Sequence, residues 1–391
     1  MNRGFVLAGA LLTAAGAAAQ TPGPLPGRLT LGGEVSLAIA PEDPAYFNYT
    51  DYDYTTLRLA RLGLSGAFRV HERVALVGEL RSYNLNSPRA HALYARVRPW
   101  LRRSFDIQAG LIPPVFGAFP RRTYGSDDFL IGYPLAYQYL TSMRSDALPA
   151  TTSDLVRMRG RGWSPSFPIG SQEDAAGLPL VNALRYDTGV QARAGSERLE
   201  VLAAYTAGTL SSPRVRDDNG GRQVSARVAS RPIVGLVVGA SAARGAYLAR
   251  ESTRGLAVDA DHFLQKAFGL DVEYSRDYWL VRGEGVWNGW DVPSLGEPAV
   301  SGPLRARALS LEGRYKLWPG LYAAARIDHL GFNRPPGMSV EWDAPVLRVE
   351  AGGGYHIHRH VLLKAAYQHN RRDSSRRRSL DVAAGQLLFW F

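Results

Sequence analysis

The chain has 391 residues, with 41 glycines, 19 tyrosines, 8 tryptophans and no cysteine, and only 21% of its residues are charged. The lack of cysteine excludes a disulfide framework, so stability has to come from a large continuous architecture. The formal net charge of +11 is essentially an arginine charge, because only three of the 46 basic residues are lysines. No nucleic-acid-binding motif accompanies this charge, which argues against nucleic acid as a partner.

The first element in chain order is a predicted export signal. Residues 1–20 carry one charge, at Arg3, followed by an apolar run and then small residues, which predicts a signal peptide over 1–19 with cleavage near Ala19. The alternative is an uncleaved anchor, but the apolar run is shorter than the roughly 20 residues that a spanning helix needs. We therefore expect residues 20–391 to leave the cytoplasm.

Alternating segments fill the rest of the chain. In 104–112, for example, Phe105 and Ile107 share one face and Asp106 lies on the other. Segments of about ten such residues separated by turns are typical of a transmembrane β-barrel. A soluble sheet with one wet face alternates in the same way, but little in this chain resembles a covering layer. The sixteen predicted strands are 28–39, 54–70, 73–85, 89–99, 104–112, 181–194, 197–208, 221–231, 233–245, 266–276, 278–290, 303–317, 320–331, 344–356, 360–370 and 379–391.

The alternation changes phase in two of these strands. The apolar set Leu57 and Leu59 is out of step with Leu62 and Leu64, which predicts a β-bulge near residues 60–61. A similar conflict is found near Arg305 and Arg307 in the strand 303–317.

Gap lengths support the barrel interpretation. Tight turns such as 71–74 alternate with longer gaps such as 291–302, and outer-membrane barrels have short turns on one side and long loops on the other. The sequence therefore predicts an all-β fold, a transmembrane antiparallel β-barrel of about sixteen strands in a bacterial outer membrane. A barrel of this size is wide enough for an aqueous channel.

The last strand ends on the apolar sequence AAGQLLFWF, residues 383–391. Alternation places Leu387, Phe389 and Phe391 on the lipid side, with the final aromatic residue at the membrane interface. This ending resembles the terminal signature that outer-membrane barrels present to the barrel assembly machinery, which we therefore expect as a partner.

The gap between the fifth and sixth strands, residues 113–180, is too long for an ordinary connection. Its segment DDFLIGYPLAYQYLTSM is rich in aromatic and aliphatic residues, which need a surface to pack against. We expect this loop to fold into the barrel as a constriction. The alternative is an outer lid or a subunit-contact loop.

The junction that leads into this loop, QAGLIPPVFGAF at residues 108–119, resembles the corresponding junction of the phosphate-selective porin family (porins O and P). The resemblance implies a porin that passes anions along basic side chains, with lysines prominent at the constriction. Because this chain has three lysines in all, no phosphate site is assigned to particular residues.

The non-lipid faces of the predicted strands give the candidates for lining the pore. On the wall they are Arg58, Arg81, Arg96, Arg185, Arg193, Arg282, Arg314, Arg326, Arg348 and Lys364, and in the loop Arg121, Arg122, Asp127 and Asp128. Wall carboxylates nearly balance them, at Glu79, Asp106, Asp187, Glu200, Asp271, Glu273, Glu284, Glu312, Asp328 and Glu350. Much of this charge is expected to pair across strands. Arginines left unpaired at a constriction would favour anions.

The predicted function is passive diffusion of small hydrophilic solutes with a weak anion preference. For the basic charge, the alternative is an outer surface in contact with anionic glycolipid. For the whole protein, the alternatives are a barrel enzyme and a sealed structural or adhesin barrel. His356, His358 and His360 are the one histidine cluster, and we interpret them as a polar turn. No cofactor or metal is expected, and the expected partners are outer-membrane lipid and glycolipid, small solutes or anions, and two further copies of the chain in a homotrimer.

Overall fold

The computed structural model describes residues 27–297, 299–300, 302–374 and 378–391, so the predicted signal peptide lies outside the described residues. Within them, sixteen antiparallel strands close into one barrel, which confirms the predicted fold class. The barrel strands are β1 Leu29–Ile39, β2 Ala60–His71, β3 Val74–Tyr83, β4 Arg89–Val97, β5 Ser104–Ile112, β6 Asp187–Gly195, β7 Leu199–Thr206, β8 Gln223–Ser230, β9 Leu236–Ala246, β10 Leu264–Arg276, β11 Trp279–Trp290, β12 Leu304–Trp318, β13 Leu321–Phe332, β14 Val346–His358, β15 Val361–Arg372 and β16 Ser379–Trp390.

Each strand pairs with its neighbours in the chain, and β16 pairs with β1 to close the ring. At this seam, Val35 lies opposite Phe389. Beyond it, Gly33 and Phe391 exchange two backbone hydrogen bonds of 3.1 Å. A Cβ at position 33 would lie 2.7 Å from the Phe391 ring, so a larger residue there would displace this ring.

The two ends of the barrel differ in the length of their connections. The seven turns at the end near Leu29 and Phe391 are short, and most connections at the opposite end are longer, which agrees with the prediction. The exceptions at that end are the short connections 84–88 and 373–378. The longest loop at that end, residues 113–186, joins β5 to β6 and is called the lumen loop below.

The outer face of the barrel is apolar because the strands alternate as predicted. In β7, Leu199, Val201 and Tyr205 are exposed on the outside, whereas Glu200 and Leu202 are buried on the inside. An outward apolar band of this kind is the surface that a β-barrel presents to lipid.

The lumen loop enters the barrel, as predicted, and supplies about half of the largest apolar cluster there. Phe116, Tyr137, Leu148 and Leu155 from the loop are buried in one cluster with Trp290 of the wall. The loop contains a 3-10 helix Phe119–Arg122, the helices α1 Leu135–Gln138 and α2 Thr152–Arg157, and a pair of two-residue strands, Ala147–Leu148 and Ile169–Gly170. No helix of the described residues is long and apolar enough to cross a membrane.

Neither of the two predicted phase conflicts is a β-bulge. The predicted bulge near residues 60–61 is wrong, because β2 begins at Ala60 and Leu57 and Leu59 are buried in the loop that precedes it. The strand β12 passes Arg305 and Arg307 without a shift of register. Both arginines point outward, so the conflict reflects two cations on the outer face and not an irregularity of the strand.

Two strand boundaries were also predicted too early. β2 begins at Ala60 and not at residue 54, and β6 begins at Asp187 and not at residue 181. In both cases a residue just before the strand, Leu57 or Leu184, is buried in an apolar cluster of the interior, and its burial resembles that of a strand residue.

Candidate functional site

Charged wall side chains hold the backbone of the lumen loop between residues 117 and 133. The Lys364 ammonium group on β15 donates to the carbonyl oxygens of Gly125 and Asp128, both at 2.6 Å, and of Leu130 at 3.3 Å. Glu34 on β1 accepts from the N–H of Gly125 at 3.2 Å. Gly125 is therefore bound from both sides of β16.

The next strand along the wall, β14, holds the following part of the loop. Glu350 on β14 accepts from the N–H groups of Ile131 and Gly132, at 3.2 and 2.9 Å. Arg348 on the same strand donates to the carbonyl oxygens of Tyr133 and Phe47, at 3.0 and 2.8 Å. These charges replace water as hydrogen-bond partners for a backbone with little secondary structure of its own.

A row of alternating charges runs across five neighbouring strands at one level of the wall. In strand order the row consists of Glu273, Arg282, Glu312, Arg326 and Glu350, which are direct cross-strand partners and are called the charge ladder below. The ion-pair distances along it are 2.8, 3.3, 3.2 and 2.6 Å. The ladder has three carboxylates for two arginines, so both of its arginines are engaged in ion pairs.

The loop contributes charges of its own to this wall. Arg122 reaches Glu273 at 3.5 Å, and Arg326 donates to the carbonyl oxygen of Gly132 at 2.8 Å.

Asp128 is buried, and its Oδ2 atom has no hydrogen-bond partner among the described residues. Burial raises the pKa of Asp128 to about 7, although the nearby Lys364 acts in the opposite direction.

A second group of arginines is much less buried. Arg193 on β6 and Arg121 of the loop both bind the Glu200 carboxylate on β7, at 2.5 and 2.6 Å. Their side chains are 47% and 42% exposed, whereas Glu200 is 5% exposed. Arg96 on β4 is partly exposed and pairs with no carboxylate of the described residues.

Arg96, Arg121 and Arg193 are called the arginine group below, and they share one side of the lumen. Arg96 lies opposite Gln108, and Arg193 lies opposite Asp106, on the two edges of β5. Asp106 is the second carboxylate of this region and accepts from Gln108 at 2.8 Å. Three arginines therefore face two carboxylates, which leaves one net positive charge.

The predicted pore-lining residues fall into three sets. The following are buried or nearly buried under the lumen loop: Arg81, Arg326, Arg348, Lys364 and Asp128. The following reach less buried parts of the lumen: Arg96, Arg193, Arg121, Arg122, Arg282, Arg314 and Asp127. Arg58 and Arg185 lie outside the strands, because β2 and β6 begin after them, so the prediction that they belong to the wall is wrong.

Arg58 and Arg185 both pair with carboxylates of the loop between β1 and β2. Arg58 is exposed and lies 3.7 Å from Glu42. Arg185 binds Asp51 at 2.7 Å and lies over the ring of Tyr52 at 4.3 Å.

Sequence reasoning missed one ion pair that holds the loop. Arg61 of β2 binds Glu34 of β1, and it also donates to the Thr123 carbonyl oxygen and the Tyr133 hydroxyl, at 3.0 and 2.9 Å. The alternation in GGEVSLAI already places Glu34 on the inner face. Arg61 was not predicted to face inward, because the apolar residues before β2 shifted the apparent phase of the alternation.

The three histidines lie at the short turn between β14 and β15. His358 and His360 have ring centroids 6.1 Å apart, and His360 lies against Trp390 at 6.2 Å. Among the described residues, no group of three or more His, Cys, Asp or Glu side chains is placed to hold a metal ion.

The sequence matches no protein-family model and no curated protein. Solved structures are similar in fold. OmpT, an outer-membrane protein of Vibrio cholerae, is 13% identical, with 93% of this chain and 97% of that chain covered at a TM-score of 0.56. An anion-selective porin from Comamonas acidovorans is 10% identical, with 93% and 99% covered at a TM-score of 0.55.

The outer-membrane channel DcaP of Acinetobacter baumannii is also similar, at 12% identity, with 93% of this chain and 97% of that chain covered and a TM-score of 0.53. At these identities the likeness shows the fold, which is that of bacterial outer-membrane porins. The closed barrel and its outward apolar band place this chain in a bacterial outer membrane.

Proposed function

We propose that the chain is a porin through which small hydrophilic solutes diffuse passively, with a weak preference for anions. The observation that carries the proposal is the arginine group, where Arg121 and Arg193 share one carboxylate. Arg96 adds a further cation without a partner among the described residues. Exposed cations at a narrow point attract anions and repel cations. The charge ladder offers no free cation to anions, because both of its arginines are paired with carboxylates.

The decisive experiment is single-channel recording in a planar bilayer under a salt gradient. We expect a conducting channel whose zero-current potential has the sign of anion preference. Arg193→Gln should move this potential towards the cation side. Arg371→Gln is the matched control, because Arg371 is exposed on the outward face of β15 and should leave the potential unchanged.

Two outcomes would contradict the proposal in different ways. Absence of conductance from correctly folded protein excludes the porin, and a cation-sign potential excludes the anion preference while leaving the porin intact. Replacing His356, His358 and His360 by alanine tests the enzyme alternative. We expect assembly and conductance to be unchanged, as for a turn without catalytic activity.

The finer assignments belong to the same proposal. A trimeric form has been described for OmpT of Vibrio cholerae, which is 13% identical with a TM-score of 0.54, and we propose a homotrimer here. The junction 108–119 favours kinship with the phosphate-selective porins, but the arginines suit small anions in general. We also propose that residues 1–19 are an export signal and that β16 is recognised by the assembly machinery.

A sealed structural barrel is the second candidate, and one observation favours it. Lys364 and Arg348, on the wall of the lumen, are 1% and 0% exposed because the lumen loop covers them. If the loop closes the lumen completely, the wild-type protein conducts nothing, and a variant that releases the loop conducts. The same bilayer recording therefore distinguishes the two candidates.

A further inference from the structure

The outward face of the barrel has a basic groove close to the long-loop end. Its volume is about 750 Å³, and it is lined by side chains of β10, β11 and β12, with the ends of β13 and the following loop at one side. The cations in it are Lys266, Arg305 and Arg307, all exposed. A cluster of cations on the lipid-facing surface of a barrel is unusual, because lipid chains offer no partner for charge.

The strand register places these cations around a glycine. Lys266 on β10 lies opposite Gly289 on β11, and Gly289 lies opposite Arg305 on β12. Lys266 and Arg305 are thus two strand spacings apart, about 10 Å between backbones. A Cβ at Gly289 would meet only ordinary contacts, the nearest at 3.8 Å to Arg305, so the groove is open above this glycine.

The charge of the groove is only partly neutralised. Lys266 binds Asp291 at 2.9 Å. Neither Arg305 nor Arg307 forms an ion pair with a described carboxylate, and Arg307 lies over the backbone of Gly331. On the next strand, Arg244 lies opposite Lys266 and adds a fourth outward cation at the same level.

Two aromatic rings lie on the same outward face, level with Arg307 and two residues further from the long loops than Lys266 and Arg305. Trp287 lies opposite Arg307 and also opposite Phe268, and the Trp287 and Phe268 ring centroids are 5.9 Å apart. Aromatic side chains of this kind are enriched at the level of lipid headgroups. The cations therefore lie at headgroup level, on the side of the long loops, which in outer-membrane barrels is the outside.

We propose that this groove binds the phosphorylated sugar headgroup of a glycolipid in the outer leaflet. Arginine and lysine are the side chains that recognise phosphate, and basic pockets at a membrane surface bind anionic headgroups. The open floor at Gly289 admits a sugar ring between Lys266 and Arg305. The proposal rests on the location in the outer membrane and is independent of whether the barrel conducts.

The test uses the full-length barrel, purified in detergent and titrated with bis-phosphorylated lipid A in a calorimeter. Dephosphorylated lipid A and inorganic phosphate are titrated in parallel. We expect tight binding of the phosphorylated lipid, weak binding of its dephosphorylated form, and little binding of inorganic phosphate. Equal affinity for both lipids would overturn the role of phosphate, and equal affinity for free phosphate would overturn the lipid as its source.

Variants then locate the site. The double variant Arg305→Gln with Arg307→Gln should lose affinity by about fivefold for each removed charge. Gly289→Leu fills the groove without changing its charge and should also weaken binding. Arg371→Gln, an outward arginine on β15, should leave the affinity unchanged. An equal loss in Arg371→Gln, or no loss in Gly289→Leu, would show diffuse attraction and overturn the proposed site.

Discussion

The charge ladder and the arginine group both have arginines inside the barrel, but Arg326 of the ladder is buried and Arg193 of the arginine group is more exposed. Arg326 of the ladder is 2% exposed as a side chain and reaches three carboxylates, Glu312, Asp328 and Glu350. Arg193 of the arginine group is 47% exposed and shares one carboxylate with Arg121. The position of the lumen loop, and not the residue type, decides whether an inward arginine serves structure or faces solutes.

The difference in burial should affect the free energy of unfolding. Removing one partner of a buried ion pair leaves an uncompensated charge and costs about 3–5 kcal/mol, whereas an exposed pair contributes about 0–1 kcal/mol. The two regions should therefore respond to the same substitution in different ways. A substitution in the ladder should lower the stability of the protein, and a substitution in the arginine group should change its ion selectivity.

The largest effect is expected from Arg326→Leu. It leaves three buried carboxylates without their shared cation, so the free energy of unfolding should fall by about 3–5 kcal/mol. Urea unfolding of the barrel in lipid vesicles measures it. The matched substitution Arg193→Leu should cost about 1 kcal/mol or less. Equal losses at both sites would remove the distinction between the two regions.

The next effect is expected from Lys364→Met, which removes the donor of three hydrogen bonds to the loop backbone. We expect a loss of about 2–3 kcal/mol, because a hydrogen bond from a charged group contributes about 1.5–3 kcal/mol. The released segment 117–133 should become sensitive to protease, and conductance should rise. Lys316→Met, at an exposed lysine of β12, is the control. Unchanged protease resistance in Lys364→Met would contradict the anchoring role.

A smaller effect concerns pH and the buried carboxyl of Asp128. Its pKa is raised to about 7 from the ordinary value of 3.8, so the folded protein holds this proton more tightly than the unfolded chain. The stabilising effect of the proton is complete below pH 4 and is lost as pH rises through about 7. The thermal midpoint should therefore be higher at pH 5 than at pH 8.

Asp128→Asn provides the comparison for this pH dependence. The charged groups that act on Asp128 are Lys364, Glu312, Arg122 and Arg326. Because an amide does not titrate, the thermal midpoint of the variant should depend less on pH between pH 5 and pH 8. The same profile in both proteins would assign the dependence to another group.

The smallest effect is expected from Glu200→Gln. It frees Arg121 and Arg193 from their shared carboxylate and should make the zero-current potential more anion-selective, opposite in sign to Arg193→Gln. Because both arginines are well exposed, stability should change by about 1 kcal/mol at most. A shift of the same sign in both variants would mean that these charges do not act on the permeating ion.

The sequence was sufficient for the barrel because the alternation of strands is a local pattern. It placed Arg326, Arg348 and Lys364 on the inner face, and the composition of residues 113–180 predicted that the loop folds inward. It could not tell which inward residues the loop covers, because that depends on contacts such as Lys364 with Gly125, which lie far apart in the chain.

The errors in the predictions from the sequence also have local causes. Buried apolar residues ahead of β2 imitated strand residues, which moved Arg58 onto the wall and hid Arg61. In β12, the outward Arg305 and Arg307 broke the expected lipid-facing pattern, and the groove that they line includes residues of three other strands. No pattern within one strand reveals a groove of this kind.

The position of Gly125 links two events in the assembly of the protein. Its N–H is bound by Glu34 on β1 and its carbonyl oxygen by Lys364 on β15, so one residue of the loop fastens the strands that flank β16. A nascent barrel that has not yet joined β16 to β1 lacks this double attachment. The loop therefore spans the seam between β16 and β1, and we expect barrel closure and loop docking to occur together as one cooperative step.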